Sequence, residues 1–369
     1  MKKRKVVYFN SDCFTDTDTT VLRHLAKYYN VVWYYIHESQ KANKMSVEDA
    51  QFYSDKYGIR LNAVDPQARN RSLKNLSFYW HIADEINHLR PDLVYHCLRN
   101  PYWAICIKYK LKCPNIVLGI HDVKSHSYSF SLSHIMERIT KDIVLKTHKR
   151  FITFSYNQKE LFRKEYGKES AMVGMSYKYF GASSLTQPDI DNGIKLLFFG
   201  SINKYKGLDL LISALEKLKI EGLSNLKLTI AGRGIFWTEC KRLTKTAEMY
   251  NLQIRFIDNK EIPDLMSSHH FLVLPYRDAT QSGPLATAVA YQLPIIAPDY
   301  GCFVETYSQD AAVFYKPGHL EEALRKVASL SQNDYSSLKT ACLKVKENND
   351  EENVARNYIN YFDGLMDNM

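Results

Sequence analysis

Apolar residues in this chain form short unbroken runs. Between them lie stretches where they recur every three or four positions, the pattern of buried strands alternating with amphipathic helices. Val6-Val7-Tyr8-Phe9 is the first run, and a polar loop is expected over 10–20. A helix is then predicted over 20–29, with Val21, Leu22, Leu25 and Ala26 on one face and Asp18 or Thr19 as its cap. Residues 31–36 read as the next strand. Further on, a helix over 73–89 stops at Arg90-Pro91, followed by strand 92–96, helix 103–111, strand 115–120, strand 149–155 and helix 158–166.

The pattern restarts in the second half. Strand 195–199, loop 200–207 and helix 208–217 lead to strand 226–231, which ends in Gly232-Arg233-Gly234. A helix over 236–250, a short strand over 254–257 and a short helix over 262–267 follow. Phe271-Leu272-Val273-Leu274 is a buried run that opens into a loop over 277–283. A helix from Pro284 to Tyr291 and a strand over 293–297 come next, with proline where a missing N–H costs least. Beyond a helix over 321–329 the tail is polar and helical. It ends with Val354, Tyr358, Tyr361, Phe362 and Leu365 at helical spacing, a stripe expected to pack on the first domain.

Strand and helix alternate throughout, which predicts α/β architecture with parallel sheets covered on both faces. At 369 residues two domains are expected. Residues 181–193 have linker composition, so the first domain is expected over 1–180, the second over 194–345, and a C-terminal helix over 346–369.

Composition narrows the class. A hydrophobic content of 45% is that of a folded protein, and no run reaches the roughly 18 residues of a membrane span. The basic start, Met1 to Lys5, leads into a strand and not a secretory signal core. Seven cysteines without a C-x-x-C pair suggest reduced thiols and a cytoplasmic setting, and no His/Cys/Asp cluster has metal-ligand spacing. The net charge of +9 is uneven: residues 86–150 hold eleven Lys/Arg against four acids, interleaved with Tyr102, Trp103, Tyr109, Tyr128 and Phe130. Such a stretch suits an anionic membrane surface or a phosphorylated substrate. Nucleic acid is the weakest partner class, because no recognition motif accompanies the charge.

Candidate chemistry gathers at the expected carboxyl ends of strands, where open α/β sheets bind ligands. The loop before Pro284 offers backbone N–H groups at a helix start, with hydroxyls of Thr280 and Ser282, the makings of an anion site. The first strand–helix turn holds Asp16 and Thr17 where a dinucleotide fingerprint would have glycines, so that fingerprint is absent.

In order and spacing, Phe198 to Gly207, Ile230 to Gly234, Pro275 to Pro294 and Gly301 to Glu305 resemble the retaining, group-1 type, family-4 glycosyltransferases of GT-B fold. The likeness covers about 194–327; Leu89 to Tyr95 and Ile120-His121-Asp122 extend it more loosely into the first half. The resemblance implies two Rossmann-like domains facing each other across a deep cleft. It implies sugar transfer from a nucleoside-diphosphate-sugar, UDP or GDP, with retention and without metal or cofactor, the nucleotide-sugar being a substrate. The acceptor would be a glycan or polyprenyl-diphosphate-linked saccharide in polysaccharide synthesis, with peripheral attachment at the inner membrane face.

Carried over by position, Lys206 binds the donor diphosphate, and His121 contacts the donor sugar near the reaction centre. Gly200, Ser201, Thr280, Gln281, Ser282 and Gly283 frame the phosphates. Arg233, the backbone of Ile257 and Thr287 meet the nucleoside; Asp16, Thr17 and Asp122 lie on the acceptor side. The chain departs from the pattern at three places: Ala279 and Thr287 replace two glutamates, Ser201 replaces an arginine, and Asp16-Thr17 replaces a glycine pair. These departures keep a catalytically silent GT-B scaffold subunit in play, whereas a sugar-nucleotide epimerase of the same architecture fits Lys206-Gly207 and Gly301 to Glu305 poorly.

Overall fold

The apolar runs of the first half line up side by side as one parallel sheet. The structure is a computed structural model that describes residues 3–38, 45–66, 72–123, 132–186, 188–278 and 281–367. In chain order the first half holds β1 (Lys5–Ser11), α1 (Thr15–Tyr28), β2 (Asn30–Ile36), α2 (Val47–Tyr57), β3 (Arg60–Val64), α3 (Lys74–Leu89) and β4 (Leu93–His96). It continues through α4 (Pro101–Tyr109), β5 (Ile116–Ile120), α5 (Leu132–Thr147), β6 (Arg150–Thr153), α6 (Tyr156–Tyr166) and β7 (Ala171–Met172). The sheet order is β3-β2-β1-β4-β5-β6-β7, with every pairing parallel.

The second half repeats the plan with β8 (Ile194–Phe199), α7 (Leu208–Ile220), β9 (Leu226–Ala231), α8 (Trp237–Lys241), β10 (Tyr250–Gln253), α9 (Ile262–Ser267) and β11 (Phe271–Val273). After these come α10 (Gly283–Ala290), β12 (Ile295–Pro298), α11 (Cys302–Thr306), β13 (Ala312–Tyr315), α12 (Leu320–Ala328), α13 (Gln332–Asn348) and α14 (Glu351–Asp367). Its sheet order is β10-β9-β8-β11-β12-β13, again all parallel. Strand order reverses between β1 and β4 in one sheet and between β8 and β11 in the other. At such switch points a crevice opens beyond the strand ends.

The compact units are Met1–Ser176 with Glu351–Met369, and Tyr177–Asp350. The stretch 181–193, expected to link the domains, therefore lies inside the second unit. Its ties explain why: Asp264 accepts hydrogen bonds from the hydroxyls of Ser183 and Ser184 and from the Ser184 N–H, and Tyr291 donates to the Gly181 carbonyl. The last helix, α14, completes the first unit. Val354, Tyr358 and Phe362 are buried with Tyr8, Leu25, Trp33 and Tyr95 in one cluster, each large side chain adding roughly 1.5–3 kcal/mol by leaving water.

Local expectations were corrected in four places. Helix α1 begins at Thr15, not Thr20, so Asp16 and Thr17 stand in its first turn and not in a loop. Asp18 does not cap it: its buried carboxylate accepts from the Tyr8 hydroxyl (2.6 Å) and the Asn10 amide. The helix expected over 236–250 shrinks to α8, because Glu216 accepts from the N–H groups of Lys245 and Thr246 and from the hydroxyls of Thr246 and Tyr250. Those bonds hold the chain in a turn where a helix would need the same N–H groups. The strand expected over 254–257 is instead β10, paired with β9 through Tyr250–Gln253.

Candidate functional site

Three backbone loops meet at the carboxyl ends of β8, β9 and β11. The Gly200 N–H donates to the Ala231 carbonyl (2.9 Å), Ile202 to Arg233 (2.9 Å), and Arg277 to Tyr205 (2.7 Å). They approach so closely that a Cβ on Gly232, at φ 149°, would lie 1.8 Å from the Gly200 oxygen, and one on Gly207, at φ 67°, 1.9 Å from the Pro275 oxygen. Only glycine takes both the conformation and the space.

Lys206 points its side chain into this junction. It is 6% exposed, and its ammonium makes no hydrogen bond or ion pair among the described residues. Its nitrogen lies 5.4 Å from the centre of the Tyr276 ring, and burial alone pushes its pKa down to about 8. A Cβ on Gly200 would touch both this nitrogen and Pro284 Cγ, at 3.2 Å each. The bare backbone of Gly200 thus separates the ammonium from the first turn of α10. Ser282 caps that helix, its hydroxyl oxygen accepting from the Leu285 N–H (3.3 Å) and lying 3.1 Å from the Tyr276 hydroxyl. An unneutralised buried cation beside a helix N-terminus is a charge arrangement completed by an anion.

The other expected donor residues fall around this point. Ser201 is exposed and accepts from the Asn203 amide (3.2 Å). Gln281 and Gly283 flank Ser282 at the helix start; Thr280 lies outside the described residues. Thr287 is 2% exposed, and its hydroxyl donates to the Gly283 carbonyl (3.1 Å), so it offers a ligand only an acceptor. Arg233 is exposed, its guanidinium 5.4 Å from the Phe256 ring centre. Ile257 turns its side chain into the core, and its N–H and C=O make no hydrogen bond among the described residues. Arg277, a candidate to supply the charge absent at position 201, is instead clamped by both Asp209 oxygens (2.8 and 2.7 Å) and the Lys204 carbonyl.

In the first unit, His121 sits at the carboxyl end of β5, its ring stacked between Phe14 (3.9 Å) and Phe154 (4.2 Å). Phe14 precedes α1, so the stack brings the start of α1, whose first turn holds Asp16 and Thr17, towards the end of β5. The Thr17 hydroxyl donates to the Phe14 carbonyl (3.0 Å), and the Asp122 carbonyl accepts from Arg99. The flanking Phe14 and Phe154, and the ties of Tyr276, were invisible to motif reasoning. No group of metal-ligating side chains occurs among the described residues.

Two parallel sheets of this order define a pair of Rossmann-like domains, those of the GT-B fold. Residues 193–333, the greater part of the second unit, match the family model of the group 1 glycosyl transferases. Among solved structures, a glycosyltransferase from Rickettsia africae is 16% identical, with TM-score 0.72 over 100% of both chains. The Anabaena protein HepE, solved with UDP and glucose, is 15% identical, with TM-score 0.68 over 97% of this chain and 99% of its own. Sucrose-phosphate synthase from Thermosynechococcus elongatus is 11% identical, with TM-score 0.70 over 100% of both chains. No curated protein matches by sequence.

Proposed function

We propose that this protein is a glycosyltransferase that moves a sugar from a nucleoside-diphosphate-sugar, UDP- or GDP-linked, to a glycan or lipid-linked saccharide, with retention and without a metal. The observation that carries the reading is the buried ammonium of Lys206, without a hydrogen bond or ion pair among the described residues, beside the N-terminus of α10. As the bond to the sugar breaks, negative charge grows on the leaving diphosphate. A preorganised cation and helix-start N–H groups stabilise that charge without reorganising. The free backbone edge of Ile257 suits a nucleobase, and His121 takes the contact with the donor sugar. That HepE was solved with UDP and glucose supports a uridine nucleotide as the first choice.

Titration calorimetry with UDP and GDP tests the reading. One nucleotide binds at micromolar strength, and Lys206→Ala weakens it about tenfold or more, about 1.4 kcal/mol. Absence of binding by both nucleotides would sink the proposal. It would favour a silent GT-B scaffold in a glycan-assembly complex, a reading that the inward-turned Thr287 supports. For the acceptor side, the basic stretch 86–150 is assigned to an anionic membrane surface. Co-sedimentation with anionic but not neutral liposomes is expected, and no helix of the described residues is long and apolar enough to cross a membrane.

A further inference from the structure

The segment that enters the second unit runs alongside α10. The Lys178 N–H donates to the Ala286 carbonyl (3.0 Å), and the Phe180 N–H donates to the Tyr291 hydroxyl (3.0 Å). These bonds set the Lys178 side chain at the start of the helix: a Cβ on Gly283 would lie 3.6 Å from its ammonium nitrogen. Lys206 reaches the same helix start by a different route, its nitrogen and Pro284 Cγ both 3.2 Å from a Cβ placed on Gly200. Two ammonium groups from distant parts of the chain thus flank one first turn, and that of Lys206 is buried with no anion among the described residues.

We propose that Lys178 is a second cation for the donor diphosphate, acting with Lys206 and the α10 N-terminus; this rests on the donor site argued above. A sugar diphosphate carries a negative charge on each phosphate, and a helix N-terminus supplies only about half a unit of positive charge. One lysine and the helix leave one phosphate under-neutralised beside the buried Lys206, where uncompensated charge is expensive. The second ammonium closes that gap. It makes the site selective for two linked phosphates over one.

Calorimetric titrations of the full chain, Lys178→Ala and Lys178→Arg test this, with UDP or GDP, the matching nucleoside and inorganic diphosphate as probes. Lys178→Ala should weaken the nucleoside diphosphate and inorganic diphosphate about tenfold, leave the nucleoside unchanged, and reduce the salt dependence of binding. Lys178→Arg should restore most of the affinity. The melting midpoint should hold, since the backbone N–H of residue 178 anchors the segment whatever the side chain. Equal diphosphate affinity in wild type and Lys178→Ala overturns the assignment while leaving the donor site standing. An equal loss for the nucleoside also overturns it, since that marks a structural role. If inorganic diphosphate binds in a Lys178-dependent way and no nucleotide does, the nucleotide-donor reading falls and the assignment to a donor diphosphate falls with it.

Discussion

Lys206 holds a charge where burial disfavours it, and that conflict has measurable consequences. Its folded-state pKa of about 8 lies below the usual 10.5. Between those values the unfolded chain keeps more of this proton than the folded one, so the residue's contribution to stability rises with pH. Below pH 8 the buried charge costs about 3 kcal/mol at most. Replacing it with an apolar chain of similar length removes that cost, so Lys206→Met should be about 1–3 kcal/mol more stable at pH 7 and should bind the nucleotide about tenfold or more weakly. Urea denaturation read beside calorimetry checks both halves; a less stable mutant would mean the ammonium has a partner after all. Nucleotide affinity of the wild type should fall from pH 7 to pH 9 as the ammonium loses its proton. The sequence pointed to Lys206 only through the resemblance of Phe198 to Gly207 to a known family. Its burial was not legible, because the Tyr276 ring that its ammonium faces is distant in the chain.

Among elements, the contact between the end of β4 and the end of α5 responds to acid. The Nε2 atoms of His96 and His148 are 2.8 Å apart and fully buried; the Leu98 N–H donates to His96 Nδ1, and His148 Nδ1 donates to the Val144 carbonyl. That pattern puts the His96 proton on Nε2, donated to a neutral His148. Burial pushes both pKa values down, His148 to about 4. The unfolded chain therefore binds more protons below its ordinary value of 6.5, so this stability is complete above pH 6.5 and is lost as pH falls towards 4. For His148 alone the loss approaches about 3 kcal/mol. Melting midpoints should drop between pH 7 and pH 5, and His148→Gln should flatten that dependence; an unchanged slope would rule the pair out as its source. Periodicity located β4 well, since Leu93-Val94-Tyr95 is an unbroken apolar run. Helix α2 went unread because its mixed polar sequence has only a weak apolar face, and α5 went unread although Leu132, Ile135, Met136, Ile139 and Ile143 recur at helical spacing.

At the scale of the whole molecule, the two units are built differently. The second is one continuous stretch, Tyr177–Asp350, whereas the first needs α14 from the chain's far end. Phe362 is fully buried against Tyr29, Tyr95 and Tyr358, so Phe362→Ala should cost about 3–5 kcal/mol. Residues 177–350 expressed alone should fold cooperatively and bind the nucleotide, while 1–176 alone should lack a cooperative transition. Calorimetric scans of both fragments decide this, and a cooperative melt from 1–176 would show α14 to be dispensable.

Apolar runs bounded by turns made both parallel sheets readable, because a strand buried on two faces needs nothing but apolar residues. The proline at 284, with Thr280 and Ser282 before it, marked the anion loop, since proline serves a first helical turn where a missing N–H costs least; the glycines at 200, 207 and 232 entered through the family resemblance. The late stripe at Val354, Tyr358 and Phe362 announced a helix in need of a surface. Contact across the chain settled the remainder. Asp18 reads as a cap until Tyr8 and Asn10 claim its carboxylate, and Arg277 as a free cation until Asp209 takes it. Lys178 reads as one lysine among many until α10 folds against it. Local pattern reports what each segment must bury; which partner meets each charge is a long-range matter that only the packed chain resolves.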